Sequence, residues 1–155
     1  MKKILFITLI AGGIYLATKF KTNIGALQQI KSSIKRVTSV KVANGSLNLK
    51  LDLNITNLSE FNLGVDTYGL LSIRRLRFFN AKNRQLIGEA KVNISNIELP
   101  SNKTIVLADI IAEVPLQNVL KHLSLFSSDA ANNIRVVPMF NAAGKEFEIN
   151  PENFT

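Results

Sequence analysis

The chain has 155 residues, no cysteine and a formal net charge of +8. That length allows one ordinary domain with a single core. The missing cysteine excludes disulfides, thiolate metal sites, a cysteine nucleophile and a lipid attached through sulfur. The charge is also uneven. Lys2, Lys3, Lys19, Lys21, Lys31, Lys35, Arg36 and Lys41 all precede the first acidic residue, Asp52, so residues 1–41 carry the whole net charge and the remainder sums to zero.

The chain opens MKKILFITLIAGGIYLATKFK, in which the stretch from Ile4 to Thr18 holds no charge. Ile4, Leu5, Phe6, Ile7, Leu9, Ile10, Ile14, Tyr15 and Leu16 supply its apolar surface. A cleaved secretory signal needs small residues before the cut. A cut after Ala11-Gly12-Gly13 leaves a very short apolar middle, and one after Ala17 puts bulky Tyr15 where a small residue belongs. Read as a helix, Ile4 to Phe20 spans about 26 Å at ~1.5 Å per residue, just short of the ~30 Å hydrocarbon layer. Snorkelling lysines at both ends make up the difference. The expectation is an uncleaved anchor helix over 1–21 with a membrane as its partner. A cleaved signal and an apolar rod held by partner subunits are the alternatives.

Lys19, Lys21, Lys31, Lys35 and Arg36 follow the apolar stretch and suit an anionic lipid surface, at ~1 kcal/mol per basic residue near it. By the positive-inside bias they keep the domain on the cytoplasmic side. Between Thr22 and Val37, Ile24, Leu27, Ile30, Ile34 and Val37 are spaced by three and four. That spacing predicts a basic amphipathic helix over 22–37, either a stalk facing membrane or partner, or a helix packed on the following sheet.

From residue 38 onward the period becomes two. SLNLKLDLNITN places Leu47, Leu49, Leu51, Leu53 and Ile55 on one face of a strand, and Asn44-Gly45 predicts a hairpin from a short strand over Thr38 to Ala43. Phe61, Leu63 and Val65 alternate next, and LLSIRRLRFFN continues the pattern up to a turn at Ala81 to Asn83. In QLIGEAKVNISNIELP the apolar phase changes near Ser95-Asn96, which predicts a bulge or break. TIVLADIIAEV predicts a strand with Val106, Ala108, Ile110, Ala112 and Val114 on one face. Pro115 then starts a helix with Leu116, Val119, Leu120, Leu123 and Phe126 on one side, ending at Ser127-Ser128-Asp129. NIRVVPMF and KEFEI close the chain as a hairpin around Ala142-Ala143-Gly144. Seven or eight short antiparallel strands with one helix predict a mainly β, immunoglobulin-type sandwich over 38–155.

Three stretches, LNLKLDLNITNLSEFNLGVDTYGLLSI, LIGEAKVNISNIELPSNKTIVLADIIAEVPLQNVLKHL and IRVVPMFNAAGKEFEI, together resemble the late-embryogenesis-abundant type 2 family, also called the water-stress and hypersensitive-response domain. Gly88, Leu99-Pro100, Val114-Pro115 and Leu120 fit the family's pattern, whereas Thr56-Asn57-Leu58 lacks the proline of its Asn-Pro-Asn turn. The resemblance spans residues 40 to 150 and implies a fibronectin-like sandwich. It transfers no catalytic residue.

His122 is the single histidine, between Lys121 and Leu123, with no nucleophile or ligand partner legible around it. Glu146 and Glu148 alternate on one strand, while Asp52, Asp66 and Asp109 stand apart, a poor pattern for calcium or for paired-carboxylate catalysis. No phosphate loop, serine elbow or metal-binding helix motif occurs. Six Asn-x-Ser/Thr triplets begin at Asn44, Asn54, Asn57, Asn93, Asn102 and Asn153, and chance explains most of them in a chain this rich in Asn. The remaining cluster is RRLRFFNAKNR, where Arg74, Arg75, Arg77, Lys82 and Arg84 surround Phe78 and Phe79. Such interleaving suits a nucleic-acid backbone. The favoured reading is a strand with its phenylalanines in the core and its arginines wet or guarding an edge.

The sequence therefore predicts a non-enzymatic module without cofactor, metal or small-molecule substrate, tethered to a membrane and acting through protein partners or identical copies of itself. The second reading is a structural component of a virus or phage particle, its apolar start held by an internal membrane or by partner subunits. A lipid-binding sandwich is a third, and it requires an apolar cavity between the sheets.

Overall fold

A computed structural model describes residues 25–64, 71–126, 130–142 and 144–149. The anchor expected over 1–21, with Lys19 and Lys21, lies outside the described residues. Among those described, no helix is long and apolar enough to cross a membrane.

Seven strands form the fold: β1 (Ile30–Ala43), β2 (Ser46–Asn57), β3 (Ser72–Asn80), β4 (Leu86–Ile94), β5 (Lys103–Pro115), β6 (Ile134–Ala142) and β7 (Lys145–Glu148). Between β5 and β6 run a short helix α1 (Leu116–Val119), a 3-10 turn (Leu120–Phe126) and a second short helix α2 (Ala130–Asn133). The strands make one antiparallel sheet in the order β1-β2-β5-β4-β3-β6-β7. The seam between β5 and β4 is thin, with Lys91 and Glu113 its one register pair. The sheet therefore has two halves, β1-β2-β5 and β4-β3-β6-β7. Its distant strands also meet: the Ser32 hydroxyl on β1 donates to the Val136 carbonyl on β6 at 2.5 Å. β7 pairs only with Met139 to Ala142, so the start of β6 is left for β1 to cover. The result is a β-sandwich-like fold.

The core follows from the alternation of β2, whose Leu47, Leu49, Leu51, Leu53 and Ile55 are all buried. Burying each side chain contributes about 1.5–3 kcal/mol relative to leaving it in water. Leu76, Phe78, Ala90, Val136 and Phe140 from the other half join the same cluster. Phe126 of the 3-10 turn meets Phe78 edge to face, with ring centroids 5.9 Å apart. Gly88 permits the corner where β5 enters α1 to settle on β4, because a Cβ there would lie 2.8 Å from Val114 Cγ1 and 3.0 Å from Val119 Cγ1. At the β1–β2 hairpin, Asn44 (φ 51°) and Gly45 (φ 74°) both take the left-handed conformation that a two-residue hairpin turn requires.

Three expectations are corrected. The amphipathic helix predicted over 22–37 gives way to strand from Ile30 onward; residues 22–24 lie outside the described residues, and among those described before β1, 25–27 form a helical turn. β1 carries two register shifts, between Ile34 and Arg36 and between Val37 and Ser39. Each inserts one residue: Ile30 and Ile34 are four apart by plain alternation around Ser32, and the first shift brings Val37 to the same face after three. In β5 the single face predicted from Val106 to Val114 breaks at Asp109, whose φ is 56°. Leu51 pairs with Ile110 but Leu53 with Leu107, an extra residue that leaves Ile110, Ala112 and Val114 buried while Val106 and Ala108 are exposed. The alternating stretch from Phe61 lies outside the described residues beyond Gly64, and within them Leu63 makes an isolated bridge to Leu99. Leu120, predicted on the buried side of the helix, is 56% exposed, because the 3-10 turn advances at three residues per turn and rotates it outward.

Candidate functional site

The basic cluster read from β3 divides in the structure. Arg75 and Arg77 stand on the outer face of β3 and are engaged by glutamates of two other strands. Arg75 Nη1 donates to Glu89 Oε1 at 2.8 Å, and its Nε donates to Glu146 Oε1 at 3.1 Å. Arg77 Nε donates to Glu89 Oε2 at 3.1 Å, and its Nη1 lies 3.1 Å from both oxygens of Glu148. These guanidiniums reach across β6 to β7, passing over the buried Val137 and Met139. Two arginines and three glutamates form one network. Its hydrogen bonds raise the pKa of Arg75, through Glu146 and then Glu89, and that of Arg77 chiefly through Glu89. Burial pushes the Glu89 carboxyl up, but the bonds from Arg75 and Arg77 outweigh it and hold Glu89 below the usual carboxylate range. Arg74 donates to the Asn93 side chain instead. Lys82 and Arg84 lie in the β3–β4 turn, exposed and apart from the network. Phe78 is buried and Phe79 packs against the core.

The second set of basic residues lies on β1. Lys31 is half-buried, while Lys35, Arg36 and Lys41 are exposed. Arg36 Nε donates to Asp52 Oδ2 at 2.6 Å. Asp52 is only 2% exposed, and its Oδ1 accepts the backbone N–H of Asp109 at 2.8 Å. The Asp109 amide first, and Arg36 second, hold the Asp52 carboxyl below the ordinary aspartate value. Asp52 thus fastens the β5 bulge to β2 and β1, and Lys50 closes the arrangement with a 2.9 Å ion pair to Asp109.

That bulge has a consequence beside it. Where β4 and β5 part beyond the Lys91–Glu113 pair, an open groove of about 410 Å³ runs between them, lined by Val92, Ile94, Val106, Leu107 and Ile110 among others. Ile111 on its rim is 70% exposed. The groove is apolar, and Asp109 is the one titratable side chain on its wall.

At the opposite end of β2, Asn57 is wholly buried and organises the crossing of two loops, the one that follows β2 and the one that precedes β5. Its Nδ2 donates to the carbonyls of Phe61 and Leu99, each at 2.8 Å, with Pro100 O at 3.3 Å. Its Oδ1 accepts from Ser59 N at 3.0 Å and from Ser59 Oγ at 2.7 Å. The side chain's role is to satisfy backbone in a segment without ladder partners. Gly64 completes the crossing at φ 105°, where a Cβ would lie 2.2 Å from the Ile97 carbonyl oxygen.

His122 sits half-buried in the 3-10 turn. Among the described residues, no three His, Cys, Asp or Glu side chains are grouped to hold a metal ion. Sequence reasoning missed the Asn57 crossing, the Asp52 bulge lock and the groove. The signal for the second was a lone acid, Asp52, inside the β2 alternation, opposite the basic β1. Among known proteins, no family model and no curated protein matches this chain.

Proposed function

We propose that the chain is a membrane-tethered, non-enzymatic interaction module. Residues 1–21 serve as the anchor and the β domain as the part that meets other proteins or further copies of itself. The observation that carries this reading is the uncharged run from Ile4 to Thr18, bracketed by Lys3 and Lys19 and followed, from Ile30, by the β domain. The described residues support a binding role, since their charged clusters are ion pairs between strands and the groove between β4 and β5 is mostly apolar. The groove between β4 and β5 suits an extended apolar segment, in the manner of strand addition at an open edge.

The finer fold belongs to the same proposal. Strands 1, 2 and 5 on one side and 3, 6 and 7 on the other follow the connectivity of an immunoglobulin-type sandwich, with β4 seated beside β3. This supports the fibronectin-like arrangement that the late-embryogenesis-abundant type 2 resemblance implies. The test is flotation of the full chain on vesicles beside a Leu9→Glu, Ile10→Glu variant. Flotation of the first and not the second is expected. Equal behaviour of the two overturns the anchor.

A further inference from the structure

We propose that β1 docks lengthwise on an anionic bilayer surface, so that the tethered domain lies on its β1 edge rather than standing away from the membrane. The inference rests on the anchor reading and adds the orientation of the domain. β1 is the outermost strand of its half and pairs only with β2. Its fourteen residues hold Lys31, Lys35, Arg36 and Lys41 and no acid. Basic side chains commonly guard an edge strand against pairing, but this strand also shows apolar side chains to water: Val40 is 42% exposed and Val42 57%. Both continue the inner face of the sheet, since Val40 pairs with Leu49 and Val42 with Leu47, yet the core, which takes in Ile30 and is flanked by Ile34 and Val37 of the same strand, stops short of its second half. A strand with basic residues and uncovered valines matches the chemistry of a lipid interface, where cations meet headgroups and short apolar side chains enter just below them.

The position of β1 in the chain selects the bilayer as occupant. Only the eight residues from Thr22 to Gln29 separate Lys21 from β1. Fully extended they span at most about 27 Å, so the start of β1 cannot leave the neighbourhood of the headgroups once the anchor is inserted. β1 is about 45 Å long at ~3.3 Å per residue, enough to carry its basic residues along the surface. Lys35 and Lys41 extend the positive charge of Lys19 and Lys21 along β1, Arg36 being held by Asp52, and an anionic surface is their complement.

The chain has no cysteine, so single probes can be placed by substitution in the full-length protein. An environment-sensitive fluorophore is attached at Val42→Cys and, as a reference on the other half-sheet, at Leu86→Cys, where the native side chain is 48% exposed. Each is incorporated into phosphatidylcholine vesicles with and without phosphatidylserine, and flotation is scored on the same samples. Docking predicts that the Val42 probe is shielded from an aqueous quencher only when phosphatidylserine is present, while the Leu86 probe remains accessible. Lys41→Gln or Lys35→Gln should each lower the docked-to-undocked ratio about five-fold. A protein that floats while both probes are quenched alike in both vesicles overturns the docking and leaves the anchor standing. Failure to float removes the anchor and the docking together. Shielding of Val42 in detergent without lipid shows that a second copy covers the strand, and also overturns the proposal.

Discussion

The two halves of the sheet use opposite charges differently. In β1-β2-β5 one carboxylate, Asp52, is almost fully enclosed and pins a backbone bulge. In β4-β3-β6-β7 five half-exposed side chains share their bonds across the outer face and bring the short last strand, β7, into the network. A surface network in high dielectric is worth little for each pair, whereas an enclosed carboxylate that loses its partners leaves a buried charge unpaired. The comparison teaches that the density of basic residues along a sequence is a poor guide to surface potential. Two arginines of the densest run, RRLR, are met by glutamates from β4 and β7, while on the sparser β1 Arg36 is met by Asp52 of β2 and Lys35 and Lys41 stand exposed.

The comparison is broken most severely at the crossing that connects the halves. Gly64→Ala combines a strained positive φ with a clash against the Ile97 carbonyl and should cost about 3 kcal/mol or more of unfolding free energy, read by denaturant titration. Asn57→Ala removes the donor to the Phe61 carbonyl, leaves the Leu99 carbonyl with the Leu63 N–H alone, and should cost about 2–4 kcal/mol, with faster amide exchange between Ser59 and Leu63.

The contrast between the halves is sharpened by acid. Asp52 has its pKa depressed in the folded state, so its stabilisation is complete well above the unfolded value near 3.9 and is lost as pH falls through the lower folded value. Asp52→Asn should flatten that acid limb of the stability curve. Glu89→Gln should flatten it less, although Glu89 is depressed as well, because its side chain is 31% exposed and partly screened. The smallest effect belongs to Arg75→Gln, about 1 kcal/mol or less at low salt and fading as salt rises, measured by thermal unfolding across ionic strengths.

The hairpin at Asn44-Gly45, the alternation of β2, the break after Ile94 and the closing β6–β7 hairpin were legible because each rests on a local pattern that the fold leaves intact. The first half of β1 was not. Plain alternation separates Ile30 from Ile34 by four and the first bulge separates Ile34 from Val37 by three, and period alone cannot distinguish such a bulged strand from an amphipathic helix. The reversal of Val106 and Ala108 has the same origin in the extra residue at Asp109. The partners of the arginine cluster were illegible for a different reason. Glu146 and Glu148 lie 71 residues from the arginines they bind, and no local reading links them. Buried Asn57 carries a glycosylation-type triplet in sequence and a loop lock in structure, a distinction that only burial reveals.

The account turns on what holds the first 21 residues. The most direct measurement is detergent-free fractionation of cells that naturally produce the full chain, with the lipid content and size of the fraction containing it. The account predicts the protein in a lipid-rich membrane fraction, released by detergent as a small folded species. Recovery in a lipid-free particle of many subunits would contradict it and assign the apolar start to assembly.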